Sequence, residues 1–384
     1  MGGTMALSAH SAGETMIERI YVHNYRCFEN FTLDLTGRGS VLVIGKNGSG
    51  QSTLRYALSV FRNICRGRNR VREWISQSDF AQHRTDLPMR FEVDLTLTKK
   101  RFQYVIAFEY PDGFHEARIL DEKLTVNGDV VFSRQRNQVS LQNGPTFGLD
   151  WHVAALPIIN EKQGGPIQQL KAFFASLILL SPVPGSMSGF AEEESFEVLE
   201  TAENFASWLS ALLVRYPARY SAIAKYLQFV IPDFASFEFI PRGERGKQLR
   251  IQFEDLEPGT GGPPPLTLDF KQLSDGEKCF FLSALVVASN RPENPVFCFW
   301  DEPDNHLSLS EVSHFVTELR RMTNNGGQFL ATSHHPEAIR RFSDENTVVF
   351  TRNSHLEPTR VRPLSEIECH GDLINAILLG EVIA

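Results

Sequence analysis

Four short stretches of this 384-residue chain combine residue types and spacings suited to phosphate chemistry. The first is Gly45-Lys46-Asn47-Gly48-Ser49-Gly50-Gln51-Ser52-Thr53, which follows the apolar run Ser40-Val41-Leu42-Val43-Ile44. A chain that turns from a strand into a helix N-terminus presents several unpaired N–H groups and a positive dipole end, and anions bind there. The pattern for a phosphate loop is G-x-x-x-x-G-K-[ST], in which the lysine reaches the β/γ oxygens and the hydroxyl takes Mg²⁺. Here Gln51 stands where that lysine belongs, so the nest of N–H groups survives and the charge is lost. By itself such a loop fits an ordinary strand-to-helix turn as well as a nucleotide site.

The other three stretches decide between those readings. Pro295-Val296-Phe297-Cys298-Phe299-Trp300 is an apolar strand that ends in Asp301-Glu302-Pro303. Two carboxylates at such a strand end suit one metal ligand, Asp301, and one group beside an attacking water, Glu302. Leu273-Ser274-Asp275-Gly276-Glu277-Lys278 precedes Phe281, Leu285 and Val286 at helical spacing, which makes Ser274 a helix cap and the first turn a second anion site. Gln328-Phe329-Leu330-Ala331-Thr332 reads as a strand running into Ser333-His334-His335-Pro336, and it carries an imidazole to the strand end where α/β sheets bind ligands.

The elements that must hold these residues are legible as periodicity. Leu54, Ala57, Leu58, Phe61 and Ile64 recur at helical spacing after the glycine loop. Ile17, Ile20 and Val22, then Phe31, Leu33 and Leu35, alternate as half-buried strands do. Between about Arg90 and Leu141 the alternation continues through Phe91, Val93, Leu95, Tyr104, Ile106 and Phe108, with a hairpin turn at Asn127-Gly128, and a β lobe is expected. From Pro166 to Val230 the pattern turns helical, as in Phe205, Trp208, Leu209, Leu212 and Leu213, with no sustained heptad for a long coiled coil. Glu257 to Pro265 is too rich in Gly and Pro for helix or central strand and is expected to be a surface linker.

Composition excludes several classes. With 42% hydrophobic and 22% charged residues, the chain is neither collagenous nor wholly disordered. Its net charge of −8 provides no global cationic field, so any nucleic-acid contact must be local. The longest apolar stretch, Ala172 to Leu180, is about half of what a bilayer-spanning helix requires. Without a transmembrane or signal-peptide pattern, and with Cys27, Cys65, Cys279, Cys298 and Cys369 lacking any CxxC pair, a cytoplasmic protein with reduced, buried cysteines is expected. No paired Cys/His set, HEXXH or G-x-S-x-G elbow supports zinc or serine chemistry.

The order of the motifs resembles that of the ABC-type ATPases of the SMC/RecF-like branch, and more narrowly the short-armed bacterial AAA-family ATPases related to the OLD ATPase domain. The resemblance runs from Met16 onward, through Asn24-Tyr25-Arg26-Cys27-Phe28, the glycine loop, Asp121-Glu122-Lys123-Leu124, Asn204 to Leu209, Leu273 to Glu277, Asp301 to Leu307 and Ser333 to Pro336. It implies an α/β P-loop NTPase fold, an ABC-type ATPase head with an antiparallel β lobe and a helical lid insertion. The implied organisation is a flexible segment 1–15, the N-terminal part of the head with P-loop and β lobe 16–165, the lid 166–235, and the C-terminal part with signature, Walker B and H-loop 236–384.

By the same resemblance, two heads dimerise around ATP and Mg²⁺. Gly45, Asn47, Gly48, Ser49, Gly50, Gln51, Ser52 and Thr53 would hold phosphates, with Ser52 and Asp301 as metal ligands. Glu302 would polarise water, His334 would sense the γ-phosphate, and Ser274 with Gly276 would touch it from the partner subunit. The family's Q-loop glutamine has no evident counterpart; the corresponding strand end, Leu180-Ser181-Pro182, offers none. Relatives of this kind often act in bacterial defence against phage or mobile elements together with an effector in trans, a nuclease or toxin. A RecF-like repair ATPase and a non-hydrolysing nucleotide-gated scaffold are the alternatives.

Gln51 bears on all of these. An amide offers only neutral hydrogen bonds, and hydrolysis should be impaired, whether Gln51 is an engineered replacement or the mark of a native nucleotide sensor. Lys46, at the start of the wrap, is the cation within the loop that could substitute. Two charge runs remain. Arg62, Arg66, Arg68, Arg70 and Arg72 fit a solvated helix end, a nucleic-acid backbone or a protein partner. Glu192, Glu193, Glu194, Glu197, Glu200 and Glu203 fit a solvated loop or a docking face for a basic partner. The residues after Pro336 hold no spaced acidic cluster, so a built-in nuclease is not expected.

Overall fold

The computed structural model describes residues 15–367, apart from 143, 163, 256–263, 292, 322, 324, 325, 335 and 343. The linker expected around 257–265 therefore falls largely outside the described residues, as do Cys369 and all but the last residue of the segment 1–15. The chain divides into two compact units, one formed by residues 1–39 and 60–175 and the other by 40–59 and 176–384.

The first unit is built on one antiparallel sheet. Its strands are β1 (Met16–His23), β2 (Phe31–Asp34), β4 (Met89–Leu97), β5 (Lys100–Glu109), β6 (Arg118–Val126), β7 (Asp129–Gln135), β8 (Gln138–Leu141) and β9 (Thr146–Gly148). They lie in the order β2-β1-β4-β5-β6-β7-β8-β9. The alternation read in the sequence is the inside and outside of this sheet, for Phe91, Val93, Leu95, Tyr104, Ile106 and Phe108 are all fully buried. Val126 pairs with Asp129 across a two-residue turn. Asn127 and Gly128 both take positive φ there, which is what a tight hairpin matching the strand twist demands.

An ion pair is sealed inside this unit. Glu122 on β6 and Arg134 on β7 are both wholly buried and lie 3.8 Å apart. The Glu122 carboxylate also accepts the backbone N–H of Ala155 at 2.7 Å, that of Leu156 at 2.8 Å, and the Tyr104 hydroxyl at 2.9 Å. Burial pushes the Glu122 carboxyl up from its usual range, while these donors and Arg134 pull it back. Removing one partner of such a pair strands the other without water. Glu122→Ala is therefore expected to destabilise the protein by about 3–5 kcal/mol, read as a lower urea midpoint.

The second unit carries a six-stranded sheet of β3 (Ser40–Gly45), β10 (Ile178–Leu180), β15 (Phe297–Trp300), β16 (Gln328–Thr332), β17 (Thr347–Thr351) and β18 (Arg360–Pro363). The order is β10-β15-β16-β3-β17-β18, parallel except for β18. Strands flanked on both faces read as continuous apolar runs, and every residue of β3, β15 and β16 is buried. A smaller antiparallel sheet joins β11 (Phe190–Ala191), β12 (Phe234–Arg242), β13 (Gly246–Phe253) and β14 (Leu266–Asp269).

Helices α3 (Phe205–Arg215), α4 (Arg219–Val230), α5 (Asp275–Ser289) and α6 (Leu309–Arg320) pack in this unit, around a core that includes Trp208, Leu227, Phe281, Trp300 and Phe315. The span read as helical between Pro166 and Val230 also contains the short strands β10 and β11, besides α2 (Pro166–Ala175), α3 and α4. A buried apolar run of a few residues such as Leu177-Ile178-Leu179-Leu180 carries no period that separates helix from strand. Helix α1 (Gln51–Cys65) follows β3 directly. Its first nine residues belong to the second unit and its last six to the first. Its apolar stripe, Leu54, Ala57, Leu58, Phe61 and Ile64, is fully buried.

Candidate functional site

The glycine loop joins β3 to α1 at the carboxyl end of the six-stranded sheet, where open α/β sheets bind their ligands. Its glycines are there for reasons of space and conformation. A Cβ at Gly45 would collide with the carbonyl of Phe350 and with Ser49 Oγ, and Gly48 and Gly50 take φ of +81° and +111°. The far side of the loop is pinned by the connection from β17 to β18: Thr359 Oγ1 donates to Ser49 O at 2.6 Å, and Arg352 Nη1 reaches Gly48 O at 3.4 Å. Gln51 is buried, and its amide Nε2 donates back to Val43 O at 3.4 Å. Ser52, the second residue of α1, has an exposed side chain.

Strand β15 delivers the two carboxylates beside this loop. Asp301 Oδ2 accepts the Ser52 hydroxyl at 3.1 Å, across 249 residues of sequence. Asp301 Oδ1 accepts the Thr332 hydroxyl at 2.7 Å, and the same Thr332 oxygen accepts the Glu302 N–H at 2.9 Å. One hydroxyl at the end of β16 thus orients both acidic residues at the end of β15. Glu302 takes φ of +50°, a left-handed conformation costly for a side chain with a Cβ. In this turn its carboxylate lies 3.3 Å from His334 Nε2 and accepts the Asn305 amide. Ser333, between Thr332 and His334, donates to buried Asp304 at 2.6 Å.

A cavity of about 600 Å³ opens onto Gly45, Lys46, Asn47, Glu302, Ser333 and His334. The group that a phosphate loop would hold is a nucleoside triphosphate with its metal, and the donor set fits it. Backbone N–H groups of the loop would hold the phosphates, and Ser52 Oγ and Asp301 Oδ2, 3.1 Å apart, offer the hard oxygens that Mg²⁺ prefers. When bound, the metal supplies charge neutralisation on the phosphate oxygens.

The RecF/RecN/SMC N terminal domain family matches residues 16–357. The chain belongs to that family. No curated protein matches the chain. Among solved structures, an SMC head bound to the C-winged helix domain of ScpA is similar over 91% of this chain and 98% of its own, at 14% identity with a TM-score of 0.54. An Smc head with an extended coiled coil, derived from Pyrococcus furiosus and bound to the C-terminal domain of ScpA, is similar over 92% and 97%, at 13% identity with a TM-score of 0.52. These likenesses speak to the fold. The chain is an SMC/RecF-like ABC-type ATPase head, an α/β P-loop fold with an antiparallel sheet, of a family that binds ATP with a divalent metal.

In this head the remaining sequence-chosen residues occupy a second place. Ser274 caps α5, its Oγ accepting the Glu277 N–H while its own N–H donates to the Glu277 carboxylate at 2.7 Å. Ser274, Gly276, His306 and Glu311 line a cavity of about 560 Å³ that shares no described lining residue with the first. A Cβ on Gly276 would lie 2.9 Å from the His306 carbonyl, so that position closes against the chain just after Asp301-Glu302.

Two expectations are revised by burial. The five-arginine run is not one exposed patch. Arg62 is buried and Arg66 Nε donates to Ala175 O at 3.0 Å, which leaves Arg68, Arg70 and Arg72 exposed. The glutamate run is not wholly solvated either, because Glu200 pairs with buried Arg55. Cys27, Cys65, Cys279 and Cys298 are buried, and burial pushes the Cys279 thiol up to about 12. No described helix is long and apolar enough to cross a membrane.

Arg55 and Thr332 were not singled out from the sequence, and Glu200 was named there only as one of a run of glutamates. Strand β10 ends beside β15, with the Asp301 N–H donating to Leu180 O and the Ser181 N–H donating to Glu200 O, both at 2.8 Å. No glutamine stands at that strand end; the polar side chain brought nearby is Glu200. The one available signal was Arg55's place on α1, three residues after Ser52, a spacing that shares a helix face.

Proposed function

We propose that this head dimerises around ATP and Mg²⁺, the phosphate loop of one copy facing Ser274 and Gly276 of the other, and that its occupancy gates a separate effector in bacterial defence against phage or mobile elements. The observation that carries this reading is the meeting of Ser52, Asp301, Thr332, Glu302 and His334, from three separated segments, on one loop. An incidental strand-to-helix turn has no use for a hydroxyl that ties the Asp301 carboxylate to the Glu302 backbone. The signature serine and glycine line a cavity of their own, which suits an isologous arrangement in which each copy completes the other's site. The SMC heads whose fold it shares are bound to a domain of ScpA, and a protein partner on this head is the counterpart that an effector would supply.

Light scattering on the full chain tests the core of the proposal. The mass is expected to double with a non-hydrolysable ATP analogue and Mg²⁺, and Ser274→Arg should abolish the doubling while ATP binding persists. A monomer at saturating nucleotide would overturn it. The defence role is read from plaque counts: Ser274→Arg should remove whatever protection the gene and its neighbours confer. A nucleotide-gated scaffold is the second reading, supported by the Gln51 amide being turned toward Val43 O; the two part on whether turnover can be restored, as argued below.

A further inference from the structure

A polyphosphate bound beside Asp301 and Glu302 needs positive charge, and residue 51 brings none. Besides the weakly placed His334, three described cations stand around the loop. Arg352 spends its Nε, Nη1 and Nη2 hydrogens on the carbonyls of Glu357, Gly48 and His355. Lys46 is exposed at the mouth of the cavity, where water screens it. Arg55 differs from both: it is 7% exposed, it lies one helical turn after Gln51, and its side chain leans toward the helix N-terminus as helical side chains do.

The Arg55 guanidinium lies over the Tyr56 ring, 4.6 Å from its centre, and between two carboxylates. Its Nη1 pairs with Glu200, and its Nε lies 3.6 Å from Asp301 Oδ2, the oxygen that also accepts the Ser52 hydroxyl. The buried Nε–H has no hydrogen-bond acceptor among the described residues. A charged donor shut away from water without an acceptor is costly unless something fills the place.

We infer that Arg55 is the cation of this site, supplying from one turn below the positive charge that position 51 lacks, and that Glu200 is the positioning residue that holds its guanidinium there. The inference rests on the nucleotide reading above. A desolvated charge interacts several times more strongly than an exposed one, which favours buried Arg55 beside Asp301 over exposed Lys46 as the cation of the site.

A double-mutant cycle on ATP affinity tests it, by calorimetry with Mg²⁺ present. Arg55→Met is expected to weaken ATP binding at least tenfold in the Gln51 chain and less than threefold beside Gln51→Lys, because a lysine there makes the second cation dispensable. Glu200→Gln should follow the same pattern more weakly and serves if Arg55→Met does not fold, while Arg55→Lys should retain most of the affinity. Equal losses in both backgrounds would mean that Arg55 only supports the fold, and a loss found for Lys46→Ala but not Arg55→Met would move the role to the loop; either overturns the inference. If neither the Gln51 chain nor Gln51→Lys binds ATP, the nucleotide reading itself fails and takes this inference with it.

Discussion

Gln51→Lys is expected to raise ATP hydrolysis at least tenfold, measured as phosphate released by the full chain with Mg²⁺. A lysine at this position brings a charge to a phosphate chain on which negative charge shifts as the terminal bond breaks. Charged hydrogen bonds contribute about 1.5–3 kcal/mol net, against about 0.5–1.5 for neutral ones. The catalytic effect is larger than the binding effect, since losing one preorganised donor to a transition state typically costs about 10²–10³ in rate. Here the amide also donates back to Val43 O at 3.4 Å, so that one of its two N–H groups is directed to the chain. Ser52, Asp301, Glu302 and His334, the residues proposed to serve hydrolysis, are linked by short contacts beside it. Equal rates for both proteins would sink this reading and favour a scaffold that never turns over.

Glu302→Gln, made in the Gln51→Lys chain, should lower kcat by about 10²–10³, within the range of a lost general base, and leave ATP affinity within a few-fold. The amide keeps the shape of the side chain and an oxygen to accept from Asn305, and loses the charge that faces His334 and the capacity to take a proton from water. Nucleotide-driven dimers should persist longer in this variant, because the step that ends occupancy is slowed. Light scattering after ATP addition checks this. A matched fall in affinity and kcat would instead place Glu302 among the residues that bind substrate in its ground state.

Much of this head could be read from the chain. The apolar run 40–44, the glycine loop and the stripe from Leu54 to Ile64 became β3, its turn and α1, because local periodicity and glycine geometry act within a few residues. The carboxylates at 301 and 302 likewise came where an apolar strand ends. What could not be read is adjacency. Strand β3 lies between β16 and β17, nearly three hundred residues later, and nothing in a strand's own pattern names its parallel neighbours. Arg55 and Glu200 stand 145 residues apart, and a glutamate in an acidic run looks solvated until the fold brings a buried cation to it. Thr332 closed an apolar strand and drew no notice, although its hydroxyl organises the site.

That hydroxyl has a wider consequence. Since Thr332 donates to the Asp301 carboxylate and accepts from the Glu302 backbone, the carboxylate of one residue and the main-chain turn of the next are tied through one side chain. Whatever grips Asp301 also tightens the turn beneath Glu302, and by reciprocity whatever straightens that turn loosens the grip. Metal occupancy at one residue would then be felt as a change in the poise of its neighbour.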